Sequence, residues 1–204
     1  MKKIGIFGGT FNPIHAGHEK TAADFYDKFK LDKLLIIPAN IPPHKKNDED
    51  VSPIDRFEMC RICFDRYKDK NIEISDIEIK KEGVSYSIDT LRTLRGIYPD
   101  DKIYFLVGSD MFLYLEKWRD YKELLKLCTF AVAYRNNTDK AEVSALREKL
   151  AKEGYMTELL ENTAVEISST ELRSKLKNGD FDLAGCLAPR ILNYIKEKKI
   201  YVLQ

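Results

Sequence analysis

Short apolar runs alternate with amphipathic segments from one end of this sequence to the other. The run at 103–107 is apolar at nearly every position, which is typical of a strand covered on both faces. Between such runs, apolar residues three to four positions apart predict helices. Because the connecting loops are short, we predict an α/β, Rossmann-like, doubly wound fold. Its sheet is mostly parallel, helices cover both faces, and further helices close the C-terminus.

The pattern also predicts where the elements lie and how the chain is divided. Strands are predicted at 3–7, 34–37, 72–79, 103–107 and 130–134, and a further short strand is predicted to end near Ile167. Helices are predicted at 17–29, 52–67, 87–94, 120–127, 139–152, 168–176 and 189–198. Ser52, Ser87 and either Ser168 or Ser169 are the predicted caps. With no repeat or long linker, we expect residues 1–204 to form a single domain.

Composition and charge limit the classes of protein to which this chain can belong. Lys and Arg number 34 against 33 Asp and Glu, and a net charge of +1 argues against a nucleic-acid binder. No run is long and apolar enough to span a bilayer, and Gly8 and Gly9 interrupt the N-terminal run, so a cytoplasmic protein is expected. Cys60 and Cys63 are expected to be buried small hydrophobes, because no second pair or suitably spaced histidine accompanies them.

The segment that follows the first strand reads G-G-T-F-N-P-I-H-A-G-H. Gly8 and Gly9 permit a tight turn close to a ligand. The next helix begins near residues 16–18, so its unpaired amides, with His15 and His18, can meet a phosphate. The spacing of its glycines fits neither a dinucleotide-binding motif nor a P-loop motif. An ordinary turn and a metal site remain alternatives.

The same segment resembles the G-G-T-F-D-P-x-H-x-G-H signature of bacterial nicotinate-mononucleotide adenylyltransferases. The resemblance implies that His15 and His18 are catalytic and contact ATP phosphates. It also places Gly8, Gly9, Thr10 and Phe11 in the ATP site. Asn12 stands where aspartate is commoner, and we expect a modest consequence, since an acceptor is kept and a charge is lost.

The loop after the second strand, P-A-N-I-P-P-H-K-K, resembles the P-P-H-K element of that family. The resemblance implies that Lys45 binds phosphate and that Asn40 contacts the acceptor substrate. His44 is left undecided. Without the resemblance, a solvated basic loop would explain the sequence equally well.

Two segments are expected to bind the acceptor ring. Ser87 begins a helix whose amides can hold a carboxylate, and the indole of Trp118, the only tryptophan, can stack on a flat ring. For Trp118 the alternative is core packing. The family resemblance adds Tyr86 and Arg119 to this acceptor site. Three further candidates follow strands: Gly108 and Asp110 for ATP, where Asp110 meets a ribose hydroxyl, and Arg135 for a phosphate of the acceptor.

The motif I-S-S-T-E-L-R matches the family's I-S-S-T-x-I-R except at Leu172. The resemblance implies that Ser168, Ser169 and Thr170 bind ATP and that Arg173 is catalytic. An ordinary capped helix is the alternative.

The resemblance implies transfer of AMP from ATP to nicotinate mononucleotide, with Mg²⁺ arriving on ATP and no metal held by the protein. The alternatives are a sister enzyme for phosphopantetheine, FMN or a polyol phosphate, a nucleotide sensor without turnover, and a metal-dependent hydrolase. ATP and nicotinate mononucleotide are the expected partners, without nucleic acid or membrane, and the chain could also form a homo-oligomer.

Overall fold

The computed structural model describes residues 1–43, 51–134, 139–161 and 167–201. Its strands are β1 (Lys3–Gly9), β2 (Lys33–Pro38), β3 (Ile72–Ile74), β4 (Lys102–Gly108), β5 (Thr129–Ala133) and β6 (Thr157–Leu160). Its helices are α1 (Ala16–Phe29), α2 (Pro53–Phe64), α3 (Ser87–Ile97), α4 (Ser109–Leu113), α5 (Tyr121–Leu127), α6 (Lys140–Lys152), α7 (Ser169–Lys177) and α8 (Pro189–Lys198). A 3₁₀ turn occupies Leu115–Lys117.

The strands form one six-stranded sheet in the order β3-β2-β1-β4-β5-β6. β1 pairs in parallel with β4, β4 with β5, and β5 with β6. The strand order reverses between β1 and β4, and in sheets of this kind ligands bind beyond the carboxyl ends of the strands at the reversal. The predicted fold class, a doubly wound α/β sheet, is confirmed.

The chain divides into two compact units. The first comprises Met1–Gly8, Thr21–Leu35 and Tyr86–Ala164, and the second comprises Gly9–Lys20, Ile36–Ser85 and Val165–Gln204. That the whole chain acts as one domain stays a prediction.

The first unit has its core around β1, β4 and β5. The side chains of Ile4, Ile6 and Phe130 are almost completely buried. Gly5 of β1 lies against α1: a Cβ there would lie 2.9 Å from Phe25 Cε1 and closer still to Leu31. Any side chain would therefore push helix and strand apart.

In the second unit, α2 and the C-terminal helix α8 contribute fully buried residues to the core. Ser52 caps α2 as predicted, since its Oγ accepts the N–H of Asp55, and Pro53 is the first helical residue. Met59 and Cys60 of α2 are fully buried, as are Ile191 and Ile195 of α8.

None of the helices within the described ranges is long and apolar enough to cross a membrane.

Several predicted bounds were wrong. The strand predicted at 72–79 ends at Ile74, and turns follow it. The strand of this region, β6, ends at Leu160, and Ile167 itself is not in a strand; the residues directly before Ile167, where the short strand was predicted, lie outside the described residues. Ser87 does not cap α3: the cap position is Tyr86, which makes no side-chain capping bond. The pattern did not predict α4.

Candidate functional site

The loop between β1 and α1 brings the two predicted histidines together. Their ring centroids lie 3.7 Å apart, and the N–H of His18 lies 3.4 Å from Nδ1 of His15, which accepts it. In a neutral His15 the ring hydrogen is then on Nε2, which can donate to a ligand. The rings of Phe11 and His18 are nearly perpendicular and in contact, with 5.2 Å between their centroids. α1 begins at Ala16, so the pair lies at its first turn, where helix amides favour an anion.

The second motif is anchored on the same loop. Arg173 donates from Nη1 to the carbonyl of Asn12 at 2.8 Å, and its Nη2 lies 3.4 Å from Thr170 Oγ1. Ser169 donates from Oγ to the carbonyl of Pro13 at 3.2 Å. Two segments about 160 positions apart in sequence are therefore hydrogen-bonded to each other within the second unit. This is the arrangement that a phosphate site built from both motifs requires.

Within the described residues, the first turn of α7 has no side-chain cap. Ser168 occupies the cap position but makes no side-chain capping bond, and its residue is exposed. Ser168 is therefore at the predicted cap position, but the capping hydrogen bond of its side chain is not formed. Amides of an uncapped first turn suit an anionic ligand, in keeping with the ATP role expected of Ser168, Ser169 and Thr170.

Asn40 follows β2 and is fixed by its surroundings in the second unit. Its N–H donates to Ser85 Oγ at 2.9 Å, and its side-chain Nδ2 donates to the carbonyl of Lys81 at 2.8 Å. The remaining polar atom of the side chain, Oδ1, is an acceptor, which suits the substrate contact predicted for Asn40. Lys45 and His44, which follow in the same loop, lie outside the described residues, as does Arg135.

In the first unit, Trp118 packs on the core and keeps one polar atom buried. Its indole makes edge contacts with Phe105 and Phe130, at centroid distances of 6.3 and 6.4 Å. Its Nε1 is buried and has no hydrogen-bond partner within the described ranges. The half-buried ring therefore packs on the core, and its buried N–H, a group that normally finds a partner, leaves the expected contact with a ligand as a prediction.

Tyr86 and Arg119, predicted with Trp118 in the acceptor site, contact each other in the first unit. The Arg119 guanidinium lies 4.9 Å from the centroid of the Tyr86 ring, within range of a cation–π interaction. Tyr86 precedes the first residue of α3, Ser87, so the aromatic ring, the cation and the amino end of this helix are neighbours in the fold.

Gly108 and Asp110 lie where β4 passes into α4. Gly108 ends β4, and Asp110 is exposed in the first turn of α4. Between them, Ser109 is completely buried and donates from Oγ to Asp139 Oδ2 at 2.7 Å. The Ser109–Asp139 bond holds this turn in place and leaves Asp110 directed to the surface.

For Cys60 and Cys63 the predicted structural role is confirmed, and Cys128 shares it. Cys60, Cys63 and Cys128 are buried free thiols, and burial raises the pKa of each well above that of an exposed thiol. Thiolates are the reactive form, so these residues are unsuited to nucleophilic catalysis. Within the described residues, no group of three or more His, Cys, Asp and Glu side chains is arranged to hold a metal ion.

The sequence reasoning missed two buried polar residues that support the loop after β1. Arg56 bonds to the carbonyl of Thr10, and Tyr201 donates its hydroxyl to Asn12 Oδ1. Both partners are far away in sequence, so no local pattern indicates them. The only available signal was a charge on the apolar face of the predicted helix at 52–67.

Comparison with known proteins identifies the family and the fold. A family model described as cytidylyltransferase-like matches residues 6–175. A Fusobacterium nucleatum protein, described as a probable nicotinate-nucleotide adenylyltransferase, is 40% identical, with 97% of this chain and 99% of its own covered. A Clostridium acetobutylicum protein with the same description is 38% identical, with 99% and 100% covered. The fold matches that of Plasmodium falciparum nicotinic acid mononucleotide adenylyltransferase complexed with NaAD, with TM-score 0.81, 21% identity and 98% of both chains covered.

Proposed function

Because this chain belongs to the cytidylyltransferase-like family, and within it to the nicotinate-nucleotide adenylyltransferases, we propose that it transfers AMP from ATP to nicotinate mononucleotide. The products are nicotinate adenine dinucleotide (deamido-NAD) and pyrophosphate, and the reaction belongs to NAD biosynthesis. The observation that carries the assignment to particular residues is the joining of two motifs. The paired rings of His15 and His18 and the guanidinium of Arg173 are held on one loop of the second unit.

The chemistry needs charge stabilisation more than proton transfer. The acceptor is a phosphate monoester, whose second pKa is about 6, so it is largely ionised at neutral pH and requires no general base. A phosphate oxygen of nicotinate mononucleotide attacks the α-phosphorus of ATP directly and expels pyrophosphate. No covalent intermediate with the protein is formed. The protein contributes positioning and donors at the places where charge develops.

Each residue then has a role in the proposed reaction. His15 and His18 donate to the α-phosphate as it becomes five-coordinate. Arg173 and Lys45 neutralise the departing pyrophosphate, and hydroxyls and amides of Ser168, Ser169 and Thr170 help to hold it. The remaining ATP contacts are assigned to Gly8, Gly9, Thr10, Phe11, Gly108 and Asp110, with Asp110 on a ribose hydroxyl.

For the acceptor, Trp118 supplies a flat surface for the pyridine ring. Backbone amides near Ser87 and Arg119 hold the carboxylate, because the amino end of a helix favours a negative charge. A neutral amide gains less from such a site, so nicotinate is preferred to nicotinamide. Asn40, Tyr86 and Arg135 complete the proposed contacts of this substrate.

We further propose that Mg²⁺ is the divalent ion and that it arrives bound to ATP. Mg²⁺ retains several waters and is commonly held by substrate phosphates with few protein ligands. A cytoplasmic location, a single catalytic domain over 1–204, the absence of nucleic-acid partners and any homo-oligomer stay predictions.

Identification of the product tests the proposal. Purified protein is incubated with ATP, Mg²⁺ and nicotinate mononucleotide, and the mixture is followed by ³¹P NMR and mass spectrometry. Equal amounts of nicotinate adenine dinucleotide and pyrophosphate are expected, and excess chelator should stop both. Pyrophosphate without the dinucleotide would indicate hydrolysis of ATP and contradict the proposal.

A further inference from the structure

Arg56 of α2 is a buried cation that bonds to two different loops. Only 4% of the residue is exposed. Its Nη1 donates to the carbonyl of Thr10 at 2.7 Å, and its Nη2 donates to the carbonyls of Ala39 and Asn40 at 2.6 and 2.9 Å. Thr10 follows β1, whereas Ala39 and Asn40 follow β2. One guanidinium therefore connects the two loops that carry proposed substrate contacts in the second unit.

The burial of this charge needs a reason. Removing a guanidinium from water is unfavourable unless hydrogen bonds replace the lost hydration. Burial lowers the pKa of Arg56, and the negative charge of Glu78 opposes that change. Arginine stays protonated under such conditions, and its planar fork can bond several carbonyls at once, which a lysine ammonium at the same place cannot do in the same geometry.

Holding these carbonyls also fixes the peptide units to which they belong. In a planar trans peptide the C=O and the following N–H point in opposite directions. With the Thr10 carbonyl held against Arg56, the Phe11 N–H is directed away from it. Phe11 has a φ of 49°, in the left-handed region that non-glycine residues seldom adopt, and its ring contacts His18. The position of this histidine thus depends on the peptide that Arg56 holds.

We propose that Arg56 is a positioning residue for adenylyl transfer, fixing the Thr10–Phe11 peptide and the Asn40 carbonyl so that both loops meet their substrates. This role rests on the proposed function. Arg56 acts through the loops and contacts neither substrate.

A matched pair of variants tests the role. Arg56→Lys keeps the charge and loses the fork. Arg95→Lys makes the same change in the first unit, where Arg95 donates to the carbonyls of Tyr98, Asp101 and Leu127 at 3.2, 2.8 and 2.5 Å. Arg95 has no proposed part in the site. Arg56→Gln, which keeps donors without charge, serves if Arg56→Lys does not fold.

The readouts separate positioning from stability. Both lysine variants should melt at a lower temperature. Arg56→Lys should lower kcat by about a hundredfold, the loss expected for a displacement of about 1 Å, whereas Arg95→Lys should stay within about twofold of wild type. Calorimetric binding of a non-hydrolysable ATP analogue, without acceptor, should weaken about tenfold in Arg56→Lys alone.

A folded Arg56→Lys with wild-type kcat, KM and analogue affinity would overturn the role and leave Arg56 a purely structural residue. Failure of the proposed function is distinguishable, because the wild-type protein would then bind the ATP analogue without converting nicotinate mononucleotide. The analogue measurement would still decide whether Arg56 positions the loops.

Discussion

The hydrogen bond from Tyr201 to Asn12 gives a stability prediction that can be worked from the structure. Tyr201 and Asn12 are 2% and 6% exposed, and the tyrosine hydroxyl donates to Asn12 Oδ1 at 2.5 Å. Tyr201→Phe removes only the hydroxyl. The Asn12 oxygen is left in a buried place without this donor.

The cost follows from the burial of the acceptor. An unsatisfied buried polar group costs about 1–3 kcal/mol, more than the net value of an average hydrogen bond. For a chain of about this size, each 1 kcal/mol lowers Tm by about 2–4 °C. Tyr201→Phe should therefore lower the free energy of unfolding by about 1–3 kcal/mol and Tm by several degrees.

Tyr194→Phe is the matched control for this measurement. The Tyr194 hydroxyl bonds to Asp55 Oδ1 at 2.8 Å, but both residues are half-buried, so water can replace the lost donor. Its effect should stay below about 1 kcal/mol. Urea unfolding followed by circular dichroism measures both variants. Equal losses, or a loss below about 0.5 kcal/mol in Tyr201→Phe, would refute the reasoning from burial.

Three further predictions concern the site and the acid stability. His18→Ala should lower kcat by about a hundredfold or more with the fold intact, as when one oxyanion donor is removed. Trp118→Ala should raise the KM for nicotinate mononucleotide about tenfold and that for ATP far less, since in the proposed site only the acceptor ring stacks on the indole. Hydrogen bonds from Lys68 and Arg190 hold the pKa of Asp65 at about 2, so Asp65→Asn should weaken the fall in Tm between about pH 4 and pH 2.

The sign of the Asp65 effect follows from the direction of its shift. Its pKa is lower in the folded chain than in the unfolded one, so its stabilisation is present above the unfolded pKa and disappears as pH falls through the folded pKa. Melting curves across that range would contradict the prediction if wild type and variant lost stability equally. Near-normal turnover in folded His18→Ala, or equal KM changes for both substrates in Trp118→Ala, would remove those residues from their roles. Trp118→Phe, which keeps a flat ring, should restore most of the acceptor KM.

What could be predicted from the sequence was mainly local. β1, the start of α1 and the pairing of His15 with His18 all follow from glycines, helical spacing and short distances along the chain. The cap of α2 was also predicted from a local pattern, because Ser52 is followed by Pro53 at the first helical position. For these elements, the local pattern was sufficient and the predictions were confirmed.

Elements whose limits depend on distant contacts were predicted less well. Alternation continues past Ile74, yet the strand ends there: Ser75 N–H still bonds to the carbonyl of Ile36 in β2, but the residues that follow turn away. Ser87 was expected as a cap on its residue type, whereas the backbone of Tyr86 takes that position. Arg56 and Tyr201 bond to residues 46 and 189 positions away, which only the folded chain reveals.

The most direct test of the central claim is a comparison of acceptors. Pyrophosphate release with Mg²⁺ and ATP is measured in the presence of nicotinate mononucleotide, nicotinamide mononucleotide, phosphopantetheine, FMN, and no acceptor. We predict a kcat/KM for nicotinate mononucleotide well above that of every other acceptor, and no pyrophosphate release when no acceptor is present. Preference for another phosphate acceptor would contradict the assigned substrate. No pyrophosphate release with any acceptor, from folded protein that still binds ATP, would contradict the enzymatic function.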